Sequence, residues 1–201
     1  MTTSLVLPNR SFKAFLFDCD GTIVDSMGLH FRAWNEALKP WGGVFSEEAF
    51  YELAGIPLKR TVEILNERQG LAMPPATIEA KKEQLYFDLM HTLEVIPEVE
   101  AVIHKFAGRI PFAVVSGSPY DSVVKSLTQV NLIHHFPVIV GGDQVLHGKP
   151  APEGFLRAAE KLGVAPSDCL VFEDADLGIQ AAEAAGMEWV KIERRALQFN
   201  R

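Results

Sequence analysis

Phe12-Lys13-Ala14-Phe15-Leu16-Phe17-Asp18-Cys19-Asp20-Gly21-Thr22 is the stretch on which the fold turns. Its first half is a short apolar run without polar alternation, which predicts a strand buried on both faces, as in a parallel sheet. The run stops at Asp18, and Gly21-Thr22 signals a turn. Asp18 and Asp20 are two residues apart, so an extended backbone aims both carboxylates the same way. Side by side they repel unless a cation joins them.

Beyond the turn, from about Ser26 to Met90, the pattern is helical and no convincing strand interrupts it. Helices are expected at residues 29–38, with Leu29, Ala33 and Ala37 at helical spacing, and at 58–68, ended by Gly70. A third is expected at 77–93, after Pro74-Pro75. This stretch reads as a separate helical unit. After Pro97 the pattern changes to alternation. Helices are expected at 97–106, 119–132, 152–162 and 177–185, with strands at 110–115, 138–140, 169–172 and 189–192. Ser118 is the candidate N-cap of the second of these helices, with Pro119 at its first position. Gly163 and Gly186 stop the last two. Such alternation predicts an α/β fold: a parallel sheet with helices on both faces and right-handed crossovers.

In such sheets ligands bind beyond the carboxyl ends of the strands, so the residues just past each strand matter most. The first strand delivers Asp18 and Asp20, the second Ser116-Gly117-Ser118, the fourth Glu173-Asp174-Ala175-Asp176; past the third comes Lys149-Pro150-Ala151-Pro152. Carboxylates clustered in this way are hard oxygen ligands that suit Mg²⁺, which binds through a few carboxylates plus substrate phosphate. Lys149 can hold a phosphate oxygen as a point charge, and Ser116 with the backbone N–H groups after it can bind another. Asp18 ends the strand and suits a phosphoryl acceptor, while Asp20, on the turn, suits proton transfer. A single pair of aspartates also reads as a solvated turn; the other three segments favour the catalytic reading.

Bulk properties set limits on partners and setting. The 201 residues fit one domain or a domain with an insertion, and 48 % apolar content suffices for a core. A net charge of −7 disfavours nucleic acid and anionic membranes as partners. Cys19 and Cys169 lie in apolar runs with no metal-ligand spacing, so reduced core thiols and a reducing compartment are expected. Met1 to Arg10 has no apolar signal region, and no apolar run is long enough to span a bilayer. A cytoplasmic enzyme is expected, as a monomer with a dimer left open.

The four segments, Asp18-x-Asp20-Gly21-Thr22, Ser116, Lys149-Pro150 and Glu173-Asp174, stand in the order that resembles the haloacid dehalogenase superfamily. The stretches 17–24 and His30-Phe31-Arg32-Ala33-Trp34, the run Lys149-Pro150-Ala151-Pro152-Glu153-x-Phe155, and Glu173-Asp174-x-x-x-Gly178-Ile179-Gln180-Ala181-Ala182 resemble its β-phosphoglucomutase-like branch. Within that branch the chain is most similar to bacterial sugar phosphatases of the fructose-1-phosphatase type, which share the Phe-Glu-Asp-Ala-Asp-x-Gly-Ile-Gln-Ala-Ala run.

The resemblance implies a Rossmann-like core, residues 1–25 and 95–201, with an all-helical cap, residues 26–94, inserted after the first strand. It implies Mg²⁺ held by Asp18, the backbone carbonyl of Asp20 and Asp174, with Glu173 close by, and phosphate contacts from Ser116, Gly117 and Lys149. The implied reaction is hydrolysis of a small phosphorylated metabolite, such as a sugar phosphate, through a phosphorylated Asp18. The rival is a β-phosphoglucomutase, an isomerase. The mutase has a cap arginine that grips a second phosphate; Leu58 occupies that position here, with Lys59 and Arg60 beside it, which favours hydrolysis. A phosphate-ligand binder without catalysis has no support, since no catalytic position is lost. Lys82 corresponds to a cap lysine of the branch, His30 to the residue that helps the catalytic acid swing, and Arg60 is a candidate substrate contact. Their plain alternatives are solvated or packed helix side chains. Trp34 and Trp41 read as cap core, Asp176 as a helix-terminal charge, and His134, His135 and His147 as surface residues.

Overall fold

The computed structural model describes residues 5–195 and 197; Met1 to Ser4 of the N-terminal stretch lie outside the described residues. Five parallel strands form one sheet in the order β3-β2-β1-β4-β5: β1 (Ala14–Phe17), β2 (Phe112–Val115), β3 (Val138–Val140), β4 (Cys169–Glu173) and β5 (Glu188–Lys191). The chain runs outward from central β1 to β3, then returns to the other side of β1 for β4. That reversal between β1 and β4 opens a crevice at their carboxyl ends.

Period-two alternation divides the sheet into two chemically different faces. Phe15, Phe17, Phe112, Val114, Leu170 and Phe172 pack on one side. They meet α5 (Pro97–Phe106), through Val99, Val102 and Ile103, and α6 (Tyr120–Gln129), through Val123 and Leu127. Phe17 stacks on Phe172 at 4.5 Å. Ala14, Leu16, Ala113, Val115, Cys169 and Val171 form the other face. Their smaller side chains admit Phe155 and Ala158 of α7 (Glu153–Leu162) and Ala181 and Ala182 of α8 (Asp176–Ala184). Both cysteines are buried and free. Among the described residues no helix is long and apolar enough to cross a membrane.

Between β1 and α5 the chain is helical, with four helices: α1 (Met27–Leu38), α2 (Glu47–Glu52), α3 (Leu58–Gln69) and α4 (Pro75–Leu89). They enclose a core of their own that includes Trp34, Leu38, Phe45, Phe50, Leu65 and Ile78. The two strands of chain linking this unit to the sheet run side by side, tied by Asp25 N–H to Glu94 O and Ile96 N–H to Ile23 O, both 2.9 Å. Several expectations shift. The short helix α2 is not among the expected elements, although Ser46 caps it by accepting from Ala49 N–H at 3.2 Å, and Glu47 and Glu48 favour its N-terminus. The helix expected at 77–93 starts at Pro75, and a single 3₁₀ turn, Met90–Thr92, replaces its last turn. Trp41 is not cap core but 44 % exposed.

Candidate active site

Pairing of β1 with β4 carries on past the strand, with Asp18 N–H donating to Phe172 O at 2.9 Å. This sets the Asp18 carboxylate beside Glu173 and Asp174, which leave the end of β4. One oxygen from each of the three lies within 4.8 Å of the others. All three side chains are buried, at 5 % exposure or less. Gly21 permits this approach: its φ is +89°, and a Cβ there would lie 2.8 Å from Asp174 Oδ2. Gly178 does the same for Glu173, whose carboxylate occupies the space a side chain on α8 would fill.

Lys149 enters this group from the loop after β3, also buried. Its ammonium donates to Asp18 Oδ1 at 2.6 Å and to Glu173 Oε2 at 2.7 Å. One ammonium does not satisfy three carboxylates. Burial, then the charge on Glu173, pushes Asp18 up to about 8 against the pull of Lys149. Burial likewise pushes Glu173 up to about 7, with Lys149 opposing and Asp174 adding to the rise. Asp174 is pushed up to about 7 by burial and by Asp18, against Lys149, Arg194 and a hydrogen bond from Thr22. Lys149, although burial opposes its charge, is held well above its usual range by its two carboxylates. An oxygen-only, electron-rich cluster of this kind fits a hard divalent cation such as Mg²⁺, which would relieve the repulsion.

Asp20 stands apart from the cluster. Oδ1 accepts from Ser26 Oγ at 2.7 Å and lies 2.8 Å from His30 Nε2; Oδ2 accepts from Ser118 Oγ at 2.8 Å and from Ser116 Oγ at 3.4 Å. Burial would raise its pKa, but the His30 ring and the hydroxyl donors outweigh burial and hold the carboxyl well below its usual range. Ser118 is a residue the sequence reading misassigned. The boundary residue of α6 is Pro119 and no side chain caps the helix, so the Ser118 hydroxyl turns inward to Asp20. Its backbone N–H instead donates to Ser116 Oγ at 3.0 Å. Asp176 pairs with Lys191 at 2.6 Å on the surface, away from the cluster.

A cleft, partly open to solvent, lies over these groups. Asp18, Asp20, Ser116, Gly117, Glu173 and Asp174 line its floor. His30 and Lys82 line it from the helical unit, together with Trp34 and Leu58. His30 also stacks on Tyr86 at 4.0 Å. Arg60 is not brought in. It sits on the outer side of α3, paired with Glu63 at 3.0 Å and Glu67 at 3.5 Å, because the register of α3 turns Leu58 and Thr61 toward the cleft instead.

Residues 15–192 match the sequence family described as haloacid dehalogenase-like hydrolases. The chain belongs to that family. It is 39 % identical over 182 residues to the fructose-1-phosphate phosphatase YqaB of Escherichia coli K12, an alignment covering 90 % of this chain and 96 % of that protein. It is 32 % identical to a phosphorylated carbohydrates phosphatase of Thermotoga maritima, over 88 % of this chain and 82 % of that one. Among solved structures it is similar to CbbY of Rhodobacter sphaeroides in complex with phosphate, with a TM-score of 0.82 and 25 % identity over 94 % of this chain and 89 % of that one. A β-phosphoglucomutase of Clostridium difficile gives a TM-score of 0.82 at 25 % identity, over 90 % of this chain and 84 % of that one. This haloacid dehalogenase-like hydrolase is a phosphoric monoester hydrolase.

Proposed function

We propose that the chain is a Mg²⁺-dependent phosphatase of small phosphorylated metabolites, with sugar phosphates such as fructose 1-phosphate as substrates, working through an aspartyl-phosphate on Asp18. The observation that carries this reading is the meeting of Asp18, Glu173 and Asp174 within 4.8 Å, with Lys149 2.6 Å from Asp18. Asp18, Asp174 and the backbone carbonyl of Asp20 would hold Mg²⁺, with Glu173 beside them. Bound there, the ion supplies positive charge against the carboxylates and the phosphate oxygens. Asp18 attacks phosphorus, and the ester P–O bond breaks as the new bond forms. Lys149, Ser116 and the backbone N–H of Gly117 hold the non-bridging oxygens. Asp20 protonates the departing oxygen, then takes a proton from the water that hydrolyses the acyl phosphate. Its four donors favour the carboxylate, which is the form the second step needs; the first needs Asp20 to move off them with a proton.

Hydrolysis is favoured over isomerisation by the cap wall. Leu58 is buried and lines the cleft, while Lys59 reaches outward toward Glu79 at 3.8 Å. Neither offers a grip for a second phosphate. The test is phosphate release from a panel of sugar phosphates with and without Mg²⁺. Release that needs Mg²⁺ and vanishes in Asp18→Asn is expected. Glucose 6-phosphate accumulating from β-glucose 1-phosphate, without free phosphate, would move the assignment to the isomerase.

A further inference from the structure

Among the described residues, the cap's one lysine facing the cleft is not free to meet a substrate. Lys82 on α4 is 1 % exposed and lines the cleft, yet its ammonium donates to Glu83 Oε1 at 2.7 Å. Consecutive helix residues do not ordinarily face each other, so this pair is imposed by its surroundings. The surroundings are visible. The rings of Trp34 and Tyr86 lie 5.9 Å and 5.2 Å from the ammonium. The second oxygen of Glu83 is hydrogen-bonded by Ser122 Oγ, which belongs to α6 of the sheet-bearing unit. Glu83 is thus clamped from the opposite side of the cap–core junction and cannot swing away from Lys82 without losing that bond. His30, the other basic group on this wall, is committed to Asp20.

We propose that Glu83 is a specificity-determining residue: by holding Lys82, it reserves the cap wall for the uncharged part of a phosphate monoester and rejects substrates carrying a second anionic group. The rest of the wall agrees, being lined by Met27, Trp34, Phe45, Phe50, Leu53 and Leu58. A carboxylate or second phosphate entering here meets apolar side chains and a lysine whose charge is already cancelled. It also adds to the negative charge of Asp18, Asp20, Glu173 and Asp174 on the floor. An unpaired buried charge is costly, and no free cation among the described residues of this wall offsets it. A neutral polyol or furanose face instead packs on the aromatic rings at little cost. This inference rests on the phosphatase reading for the position of the phosphate at the floor.

Two experiments test it. In the first, kcat/KM of the Mg²⁺-loaded full chain is measured for fructose 1-phosphate, fructose 1,6-bisphosphate and 6-phosphogluconate, in wild type, Glu83→Gln and Glu83→Gln with Lys82→Met. Wild type is expected to favour fructose 1-phosphate by roughly tenfold or more, the fold-change of one lost charge-assisted contact. Glu83→Gln keeps an acceptor for Ser122 but frees Lys82, and the preference is expected to fall by about the same factor, mainly through KM. Adding Lys82→Met removes the gain. Equal use of all three by wild type, or an unchanged ratio in Glu83→Gln, overturns the inference; the wild-type comparison decides if the variant does not fold. In the second, calorimetry compares binding of the same three ligands to Asp18→Asn protein, independently of turnover. Equal affinity there also overturns it. Absence of any phosphate release by wild type would sink the phosphatase reading, while the binding arm still decides the role of Glu83.

Discussion

Replacing Asp174 by Asn removes one charge from a buried, under-compensated cluster and is expected to stabilise the metal-free protein while disabling it. Asp174 is 2 % exposed, and burial with the neighbouring Asp18 lifts its pKa from 3.8 to about 7. At about 1.36 kcal/mol per tenfold change, holding it ionised at pH 8 costs about 4 kcal/mol. Asn has the same shape and keeps an acceptor for Thr22 Oγ1, now 3.2 Å from Oδ1. Relaxation and the lost contact with Arg194, 3.8 Å away, reduce the gain to about 2 kcal/mol. For a chain of this size that is about 4–8 °C in Tm.

The sign follows from linkage. The folded-state pKa lies above the unfolded one, so the folded protein holds the extra proton between about pH 4 and pH 7. The contribution of Asp174 is therefore intact below pH 4, declines as pH rises to 7, and is fully lost above. Melting curves in EDTA at pH 4.5 and 8 for both proteins measure this. The variant should melt higher at pH 8, with most of the difference gone at pH 4.5. Added Mg²⁺ should then reverse the order, raising wild type by up to about 2.7 kcal/mol at a hundredfold excess over Kd and the variant by much less. A variant that melts at or below wild type in EDTA at pH 8, or by the same margin at both pH values, would refute the view that this cluster is strained without a cation.

Ser118→Ala removes a 2.8 Å donor from the Asp20 carboxylate. The pKa of Asp20 should rise, so the acidic limb of the kcat profile moves to higher pH, and kcat falls by about tenfold, with Tm little changed; an unmoved acidic limb would count against Asp20 as the proton-transfer group. Gly117→Ala places a Cβ 2.6 Å from the backbone oxygen of Gly55, so the cap loop must lift off the floor. The expected result is a rise in KM of about tenfold or more with the fold retained, read by steady-state kinetics beside circular dichroism.

How much of this was legible in the chain differs by element. The parallel sheet was readable because β1 to β4 are built on bounded apolar runs, and the carboxylates because they stand at the ends of such runs: Asp18 after Phe17, Glu173 and Asp174 closing the run from Cys169. Helix α2 was not, since its six residues are too few to display a period, although Ser46 and the two glutamates after it mark its start. Ser118 was misread because a serine before a proline fits a cap as well as a buried donor; only the approach of Asp20 from another strand decides. The direction of Arg60 depends on a helix phase that sequence spacing leaves open; on α3 that phase sends Leu58 and Thr61 to the cleft and Arg60 to Glu63. The clamp on Glu83 spans 39 residues between units, a distance at which no local pattern speaks.

The two sides of the cleft are built on different physical terms. On the floor, the positions of Asp18, Glu173, Asp174 and Lys149 come from strand register, Phe17 facing Phe172, and from Gly21 and Gly178, which have no side chain where a carboxylate must pass. A change there alters charges that have almost no solvent to screen them, so it acts on kcat and on stability together. The cap wall hangs on helices joined to the sheet through a two-stranded link at residues 23–25 and 94–96, and its charges cancel internally between Lys82 and Glu83. Exchanging side chains there leaves the floor in register. Cap substitutions other than at His30, which holds the Asp20 carboxylate, should therefore separate from floor substitutions in kinetics, moving KM between substrates while the pH profile and the Mg²⁺ dependence stay where they were.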